Sequence, residues 1–202
     1  IYNEIIDSDD WRNMDWLEDE SRAYTTKERE KKDFNWRTDR AYKANIALLD
    51  GYSLIQPQQE SGVFALLIQL NLLKPELFPF QIIDYDTHAG YDVIVKGNDK
   101  TPIYQSKLFY VELKHILKNQ FNHSFENLHS IVCWDTEIRH GDIVEDISKE
   151  ERKFQIAPGE KPGEYTKYFL DRARSDHKIE VFVLKDYLRE KLNLEFRPRS
   201  KK

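Results

Sequence analysis

The stretch from Tyr91 to Leu117, YDVIVKGNDKTPIYQSKLFYVELKHIL, restricts the possible folds of this chain more than any other part of the sequence. Its two apolar runs, YDVIV and LFYVEL, are rich in Val, Ile, Tyr and Phe, which are enriched in β-strands. Between the runs lie the turn-forming residues Gly97, Asn98, Asp99 and Pro102. This pattern predicts a β-hairpin, so the fold must contain a sheet.

Three charged side chains interrupt the apolar character of this hairpin. Asp92 lies at the head of the first run, and Glu112 and Lys114 lie two residues apart in the second. Residues two apart on a strand point to the same face, so Glu112 and Lys114 project together and Leu113 points the other way. Burying such charges costs several kcal/mol unless they are paired or bound to a metal. The alternative is an ordinary Glu–Lys pair on the solvated face of an amphipathic strand.

Composition restricts the class of protein. The 202 residues suffice for one domain, or for one domain with an additional arm. No apolar run is long enough for a membrane span and no signal-peptide pattern is present, so we expect no membrane partner. The single cysteine, Cys133, excludes an internal disulfide and a Cys-based zinc site, which fits a reducing, cytoplasmic setting. The net charge of −5 argues against non-specific nucleic-acid binding through global charge, but not against nucleic acid as a substrate.

The charge pattern predicts two parts. Residues 1–35 are dense in charges of both signs and show no strand pattern, so we expect a connecting helix or an arm from a preceding domain. The first residue is Ile1, which fits a piece of a longer chain. Residues 36–202 are expected to form the folded domain. The basic residues at 27–32, with Arg37, Arg40 and Lys43, are candidates for DNA phosphate contacts or for a solvated helix face.

Periodicity predicts the elements of residues 36–202. Helices are expected at residues 36–50, 63–73, 121–128, 165–174 and 185–192, with Glu60 near the first turn of the second. Strands are expected at residues 80–85, 91–95, 108–113, 130–134 and 178–184, with an edge hairpin in the segments IVEDI and KFQIAP. This order predicts an α/β fold with a mixed central β-sheet flanked by helices on both faces.

The charged residues of the hairpin suggest a metal site. Neighbouring strands lie about 4.8 Å apart, so Asp92 and Glu112 at matched heights could share one divalent ion, with the Leu113 carbonyl as a further oxygen ligand. All-oxygen ligation suits Mg²⁺, or Mn²⁺ as its substitute, better than zinc. Lys114 would then stand beside a metal-bound water, and Glu60 could reach a water or a second metal. This set of groups fits hydrolysis of a phosphodiester by a metal-activated water.

The same residues carry a family resemblance. Asp92 followed by Glu112-Leu113-Lys114 resembles the signature of the PD-(D/E)xK nuclease superfamily, which includes type II restriction enzymes, Holliday-junction resolvases and many repair nucleases. In that superfamily an acid-bearing helix precedes the sheet, one strand carries the Asp, and the next carries the (D/E)xK triplet. Here the residue before the Asp is Tyr91 and not Pro. The resemblance implies a restriction-endonuclease-like fold and a Mg²⁺-dependent endodeoxyribonuclease.

The resemblance also implies residue roles and partners. Asp92, Glu112, Lys114 and Glu60 match the catalytic positions in order, with Asp92, Glu112 and the Leu113 carbonyl as metal ligands. The segment KHILKNQFNHSFENLHSIVCWD resembles nuclease domains at the C-terminus of bacterial GHKL-type ATPases related to MORC proteins. The resemblance covers about residues 55–136. It implies an upstream ATPase portion of the same chain, DNA as substrate and a role in bacterial defence or DNA processing. A homodimer is expected if both DNA strands are cut.

Several nearby side chains have two interpretations. Asp84 and Asp86 could assist or replace Asp92 as metal ligands, although ending a strand and capping a turn is the commoner role. His88, in the same turn, could bind substrate but is more often solvated. The resemblance makes His123 and His129 candidates for the rim of the site or for a phosphate contact, and the alternative is a capping His-Ser pair and a packed His at the end of a helix.

Other interpretations also stay open at the end of the motif and for the whole chain. Asp135 could border the site, although ending the strand is the more usual role, and Cys133 and Trp134 are expected in the core. The alternative function is a catalytically inactive nuclease-like module that binds DNA or a partner protein. Binding of a divalent metal separates these two functions, because an inactive module does not need Asp92 and Glu112 together.

Overall fold

A computed structural model of the chain describes residues 9–86, 92–161 and 163–198, with side chains from residue 19 onward. It divides into two compact units, Ile1–Ala44 and Asn45–Lys202. The described residues of the first unit form the helix α1, Asp9–Lys43. Almost all of the side chains described along it are exposed, and pairs one turn apart, such as Asp39 with Lys43 at 2.6 Å, stabilise it locally. The basic residues of α1 thus lie on a solvated helix.

The predicted helix at residues 36–50 is wrong beyond Lys43. The chain instead forms an antiparallel hairpin of β1, Ile46–Leu49, and β2, Tyr52–Ile55. Asp50 and Gly51 connect the strands with φ angles of 49° and 84°. A two-residue turn with both φ angles positive matches the right-handed twist of a hairpin, and Asp-Gly is a favoured pair for it. The apolar spacing that suggested a helix therefore belongs to a short strand.

Besides the hairpin of β1 and β2, the described residues of the second unit form an eight-stranded sheet and two α-helices. The helices are α2, Glu60–Leu73, and α3, Leu184–Leu192. The strands are β3 (Phe80–Tyr85), β4 (Val93–Gly97), β5 (Leu108–Leu117), β6 (Leu128–Thr136), β7 (Ile143–Glu145), β8 (Glu151–Ala157), β9 (Lys167–Asp171) and β10 (Ile179–Val183).

The order of strands in this sheet is β3-β4-β5-β6-β10-β9-β8-β7. Strand β6 pairs in parallel with β5 and β10, and the other neighbours are antiparallel. The predicted α/β class with a mixed sheet is therefore confirmed. The expected hairpin, the core helix before it, the buried strand after it, the edge hairpin and the final strand and helix are also present.

The predicted helix at residues 121–128 is wrong, because residues 121–127 form a loop and Leu128 is the first residue of β6. Phe121 and Phe125 are buried, as the helical spacing suggested, but contacts from elsewhere in the chain hold them. The Phe121 N–H donates to the Glu145 carbonyl at 3.0 Å, and the Phe125 N–H donates to the Asp146 carboxylate at 2.8 Å. Polar residues such as Asn122 compete for backbone hydrogen bonds, which disfavours a helix here.

The predicted helix at residues 165–174 is also wrong. Lys167–Asp171 is strand β9, which lies between β8 and β10. Leu170 is fully buried and pairs with Ile179 and Phe154 on the two neighbouring strands. The aromatic residues around Leu170 favour a pleated strand over a helix, and pairing on both sides outweighs the helical periodicity.

Two core clusters cover the sheet. Helices α2 and α3 pack into the first cluster, which also contains Leu113 and Val132. The second cluster contains Ile131 and Cys133 and is completed by residues of β7, β8, β9 and the loop at 121–125. Helices on both faces of the sheet are therefore not confirmed, since both of these helices belong to one cluster. Within the described ranges, no helix has the length and apolarity that crossing a bilayer requires.

Phe78 offers a test of this packing. Its ring is 1% exposed and lies 5.5 Å from the Phe80 ring and 5.4 Å from the Phe182 ring. We expect Phe78→Ala to lower the free energy of unfolding by about 3–5 kcal/mol, because it opens a cavity in the first cluster. The measurement is denaturation in urea. Phe34→Ala, on an α1 side chain that is 68% exposed, serves as the control and should change this energy by about 0.5 kcal/mol or less. Equal effects of the two changes would contradict the packing.

Candidate active site

The start of β4 brings Asp92 against the middle of β5. The antiparallel register pairs Val93 with Val111, so Leu113 extends beyond the paired part of β4. There the Leu113 N–H donates to Asp92 Oδ2 at 2.8 Å. The N–H and C=O of one strand residue leave the backbone at the same edge, so the Leu113 carbonyl also lies at the edge that faces Asp92. The Asp92 carboxylate and the Leu113 backbone thus face each other at the start of β4.

Glu112, Lys114 and Glu60 form an ion-pair network beside that edge. Lys114 Nζ lies 2.6 Å from Glu112 Oε1 and 3.5 Å from Glu60 Oε1. Glu112 and Lys114 share one face of β5, as their spacing predicts, and Glu60 is the first residue of α2. The structure thus brings together the four side chains that the sequence singled out.

The Glu112 carboxylate is the unusual group of this site. Its side chain is 1% exposed, and its Oε1 atom contacts Lys114. Its other oxygen, Oε2, is buried and has no hydrogen-bond partner among the residues that the structure describes. A buried carboxylate oxygen without a partner is expensive, and such groups in native structures need an explanation. An ion or an ordered water bound at Oε2 would provide one.

The electrostatics of the site favour an added cation. Burial raises the pKa of Glu112 to about 7, against the hydrogen bond and the charge of Lys114, and the charges of Asp92 and Glu60 raise it further. Burial also raises the pKa of Asp92, although the Leu113 N–H and the charge of Lys114 oppose this shift. Burial lowers the pKa of Lys114, but its hydrogen bond to Glu112 and the three carboxylates outweigh burial and raise it overall. Three carboxylates thus share one ammonium group.

His123 belongs to the site through its contact with Glu112. Its Nε2 atom lies 3.3 Å from Glu112 Oε1, and its side chain is 22% exposed. Burial and the nearby charge of Lys114 lower the pKa of His123, which favours a neutral ring at neutral pH. The sequence left two roles open for this residue, and it sits on a loop and not on the predicted helix.

Tyr85 is a neighbour of the site that sequence reasoning missed. It pairs with Val93 across β3 and β4, which places it beside Asp92. Its ring stacks on Phe64 of α2 with the ring centroids 3.7 Å apart. Burial, followed by the charges of Asp92 and Glu60, raises the pKa of the Tyr85 hydroxyl. An antiparallel pairing of β3 with β4 places the end of β3 opposite the start of β4, and this pairing could have identified Tyr85.

The remaining acidic candidates, Asp84, Asp86 and Asp135, differ in their surroundings. Asp84 is exposed on β3, next to an irregularity in its pairing with β4. The Asp86 N–H donates to the Asp92 carbonyl at 3.1 Å, so its backbone supports the start of β4. Asp135 pairs with Lys185 of α3 at 2.6 Å.

The contacts of His129 with Ser130 and Phe109 lie outside this network. His129 Nδ1 lies 2.6 Å from the Ser130 hydroxyl oxygen, and its ring packs 4.8 Å from the Phe109 ring, so it has a packing role. His88 lies outside the described residues.

The donor set is compatible with a hard divalent cation. In residues 19–86, 92–161 and 163–198, no group of three or more His, Cys, Asp or Glu side chains is arranged to hold a metal ion. A site built from Asp92, Glu112 and the Leu113 carbonyl has only two such side chains. Mg²⁺ usually keeps several waters and binds proteins through one or two carboxylates, so this smaller set fits it. The observation that supports the fit is Glu112 Oε2, a buried oxygen with no partner in residues 19–86, 92–161 and 163–198.

Comparison of the chain with known proteins gives no relatives. No protein-family model, no curated protein and no solved structure matches it.

The pKa of Glu112 predicts how stability depends on pH in the absence of metal. The pKa is raised from 4.5 to about 7, so the folded chain holds this proton more tightly than the unfolded chain. The proton's contribution to stability is complete below pH 4.5 and is lost as the pH rises towards 7. We expect the free energy of unfolding of Glu112→Gln to rise by roughly 3 kcal/mol relative to that of the wild type across this range, because an amide does not ionise.

The measurement is chemical denaturation of both proteins in EDTA at several pH values. The difference between the two free energies of unfolding should be small in acid and should grow towards neutral pH. A difference that does not change with pH would contradict the account of Glu112.

Proposed function

We propose that this chain is a metal-dependent nuclease that hydrolyses DNA phosphodiester bonds. The observation that carries the proposal is the buried Glu112 carboxylate, whose Oε2 has no partner among the described residues while Lys114 holds Oε1. Asp92 and the Leu113 carbonyl lie at the adjoining edge of β5. A buried acid beside a second acid and a lysine suits metal-assisted attack of water on a phosphate.

Each residue has a distinct task in this proposal. Asp92 and Glu112 hold the cation together with the Leu113 carbonyl, and the Leu113 N–H fixes the orientation of the Asp92 carboxylate at 2.8 Å. A bound Mg²⁺ or Mn²⁺ would supply the positive charge that makes a water molecule a better nucleophile. Lys114 is 18% exposed, so its ammonium group can donate to that water or to a phosphate oxygen.

Glu60 acts on Lys114 from the more open side. Its carboxylate is 52% exposed and lies 3.5 Å from Lys114 Nζ, whereas the buried Glu112 Oε1 lies 2.6 Å from the same nitrogen. Glu60 and Glu112 therefore share one ammonium group. Glu60 is also the first residue of α2, where the helix dipole favours an acidic side chain.

Support for DNA as the substrate comes from the PD-(D/E)xK resemblance together with the order of elements. Helix α2 precedes the hairpin of β4 and β5, and β5 continues into the sheet through parallel pairing with β6. This is the arrangement that the resemblance implies. The wider proposal includes an upstream ATPase portion, a homodimer for cutting both strands, and a role in bacterial defence or DNA processing. These parts rest on the resemblance alone.

The first test is cleavage of supercoiled plasmid in Mg²⁺ or Mn²⁺. We expect nicked or linear product, and we expect EDTA and Glu112→Ala each to abolish it, because each removes the metal site. Glu180→Gln is the matched control, since Glu180 is also a partly buried strand carboxylate with a raised pKa but pairs with Tyr165 at 3.2 Å. This control should cleave like the wild type. Cleavage that survives in EDTA or in Glu112→Ala would contradict the proposal.

A second test separates the role of Lys114 from metal binding. Lys114→Ala should still bind Mn²⁺ in a calorimetric titration, because both carboxylates remain. Its cleavage rate should fall by about 10²–10³-fold, since a donor to the developing negative charge is lost. Lys178→Ala, which removes a lysine paired with Asp171 at 3.3 Å, is the control and should keep the wild-type rate. Full activity of Lys114→Ala would contradict the proposed role, and a wild type that neither binds Mn²⁺ nor cleaves would favour the inactive binding module.

A further inference from the structure

We propose that His123 is a positioning residue that holds Glu112 Oε1, so that Glu112 Oε2 is presented to a divalent cation. This inference rests on the proposed metal-dependent function and deepens it. It starts from the asymmetry of the Glu112 carboxylate. Oε1 lies 2.6 Å from Lys114 Nζ and 3.3 Å from His123 Nε2, whereas Oε2 has no partner among the described residues.

Two contacts on one oxygen restrict the rotation of a carboxylate. Lys114 alone is a flexible point charge, and it is shared with Glu60 at 3.5 Å. The imidazole of His123 is a second polar group at the same oxygen, with Nε2 3.3 Å from Glu112 Oε1. A carboxylate held in this way loses less freedom when it binds an ion, and loss of such supporting contacts weakens metal binding.

The loop that carries His123 is firmly attached to the sheet. The flanking residues Phe121 and Phe125 are 4% and 0% exposed, and their rings stack with centroids 5.4 Å apart. The His123 ring stands edge-on to Phe121, with the ring centroids 6.2 Å apart. The ring is thus backed by the second core cluster.

Hydrogen bonds from the segment that follows β7 complete this support. Asp146 is 2% exposed, and its carboxylate accepts the N–H groups of Phe125, Ser148 and Glu150, each at 2.8 Å. The Ile147 N–H donates to the His123 carbonyl at 3.5 Å. Contacts within the protein thus hold the loop in place, which is what a positioning residue requires.

The experiment uses the full chain and measures Mn²⁺ affinity by calorimetry in four His123 forms: wild type, His123→Ala, His123→Gln and His123→Asn. A Gln amide nitrogen can take the position of Nε2, but an Asn amide is too short to reach Glu112. We expect His123→Ala and His123→Asn to lose about 10–100-fold in affinity, and His123→Gln to stay within about 3-fold of the wild type. Thermal unfolding in EDTA verifies that each variant is folded.

His129→Ala is the matched control, because His129 is also a half-buried histidine but contacts Ser130 at 2.6 Å. Its Mn²⁺ affinity should equal that of the wild type. If His123→Ala fails to fold, the comparison of Gln with Asn still decides. Equal affinities of these two variants, or wild-type affinity of His123→Ala, would overturn the inference.

The failure of this inference and the failure of the proposed function give different results. A wild-type chain that binds no Mn²⁺ overturns the metal-dependent function and the inference with it. A wild type that binds Mn²⁺ through Glu112, shown by loss of binding in Glu112→Ala, while all His123 variants bind equally well, overturns only the role of His123.

Discussion

The buried carboxylate of Glu112 is the constraint on which the rest of this site depends. It lies on β5, near the centre of an eight-stranded sheet, and is 1% exposed. An isolated charge at such a position would cost several kcal/mol, and an apolar residue would suit the sheet better. Lys114 and His123 compensate only one of its two oxygens. Sites that depart from the rules of core packing in this way are commonly functional, and here the departure is a second oxygen that has no hydrogen-bond partner within the described part of the chain.

The architecture explains how these groups meet. Strand β5 pairs antiparallel with β4 on one side and in parallel with β6 on the other. On the antiparallel side, Asp92 reaches the Leu113 N–H because it directly precedes β4, where the pairing of β4 with β5 ends. Because β5 and β6 are parallel, the chain must run back from the end of β5 to the start of β6. The segment that makes this connection carries His123. Helix α2 adds Glu60 from its first turn, so four segments of the chain contribute to one small site.

The sequence predicted those parts of the molecule whose local pattern and tertiary environment agree. The apolar strands of the hairpin, the spacing of Glu112 and Lys114 and the apolar run of α2 all follow from side-chain periodicity. Prediction failed where tertiary contacts decided. The periodicity around Leu170 predicts a helix, but in the fold β8 and β10 pair on either side of this residue. The contact between His123 and Glu112 depends on Asp146, which is remote in sequence and anchors the loop through its carboxylate. No pattern in one sequence reports such a contact.

The central claim is that Asp92 and Glu112 together bind a divalent cation, and a crystal structure with Mn²⁺ tests it most directly. Anomalous scattering from Mn²⁺ identifies the ion independently of the protein atoms. The account predicts a peak at about 2.1 Å from a carboxylate oxygen of Asp92, from Glu112 Oε2 and from the Leu113 carbonyl, with waters at the remaining positions. A Mn²⁺-saturated crystal with no peak at this edge of β5, or with the ion held by other residues, would contradict it.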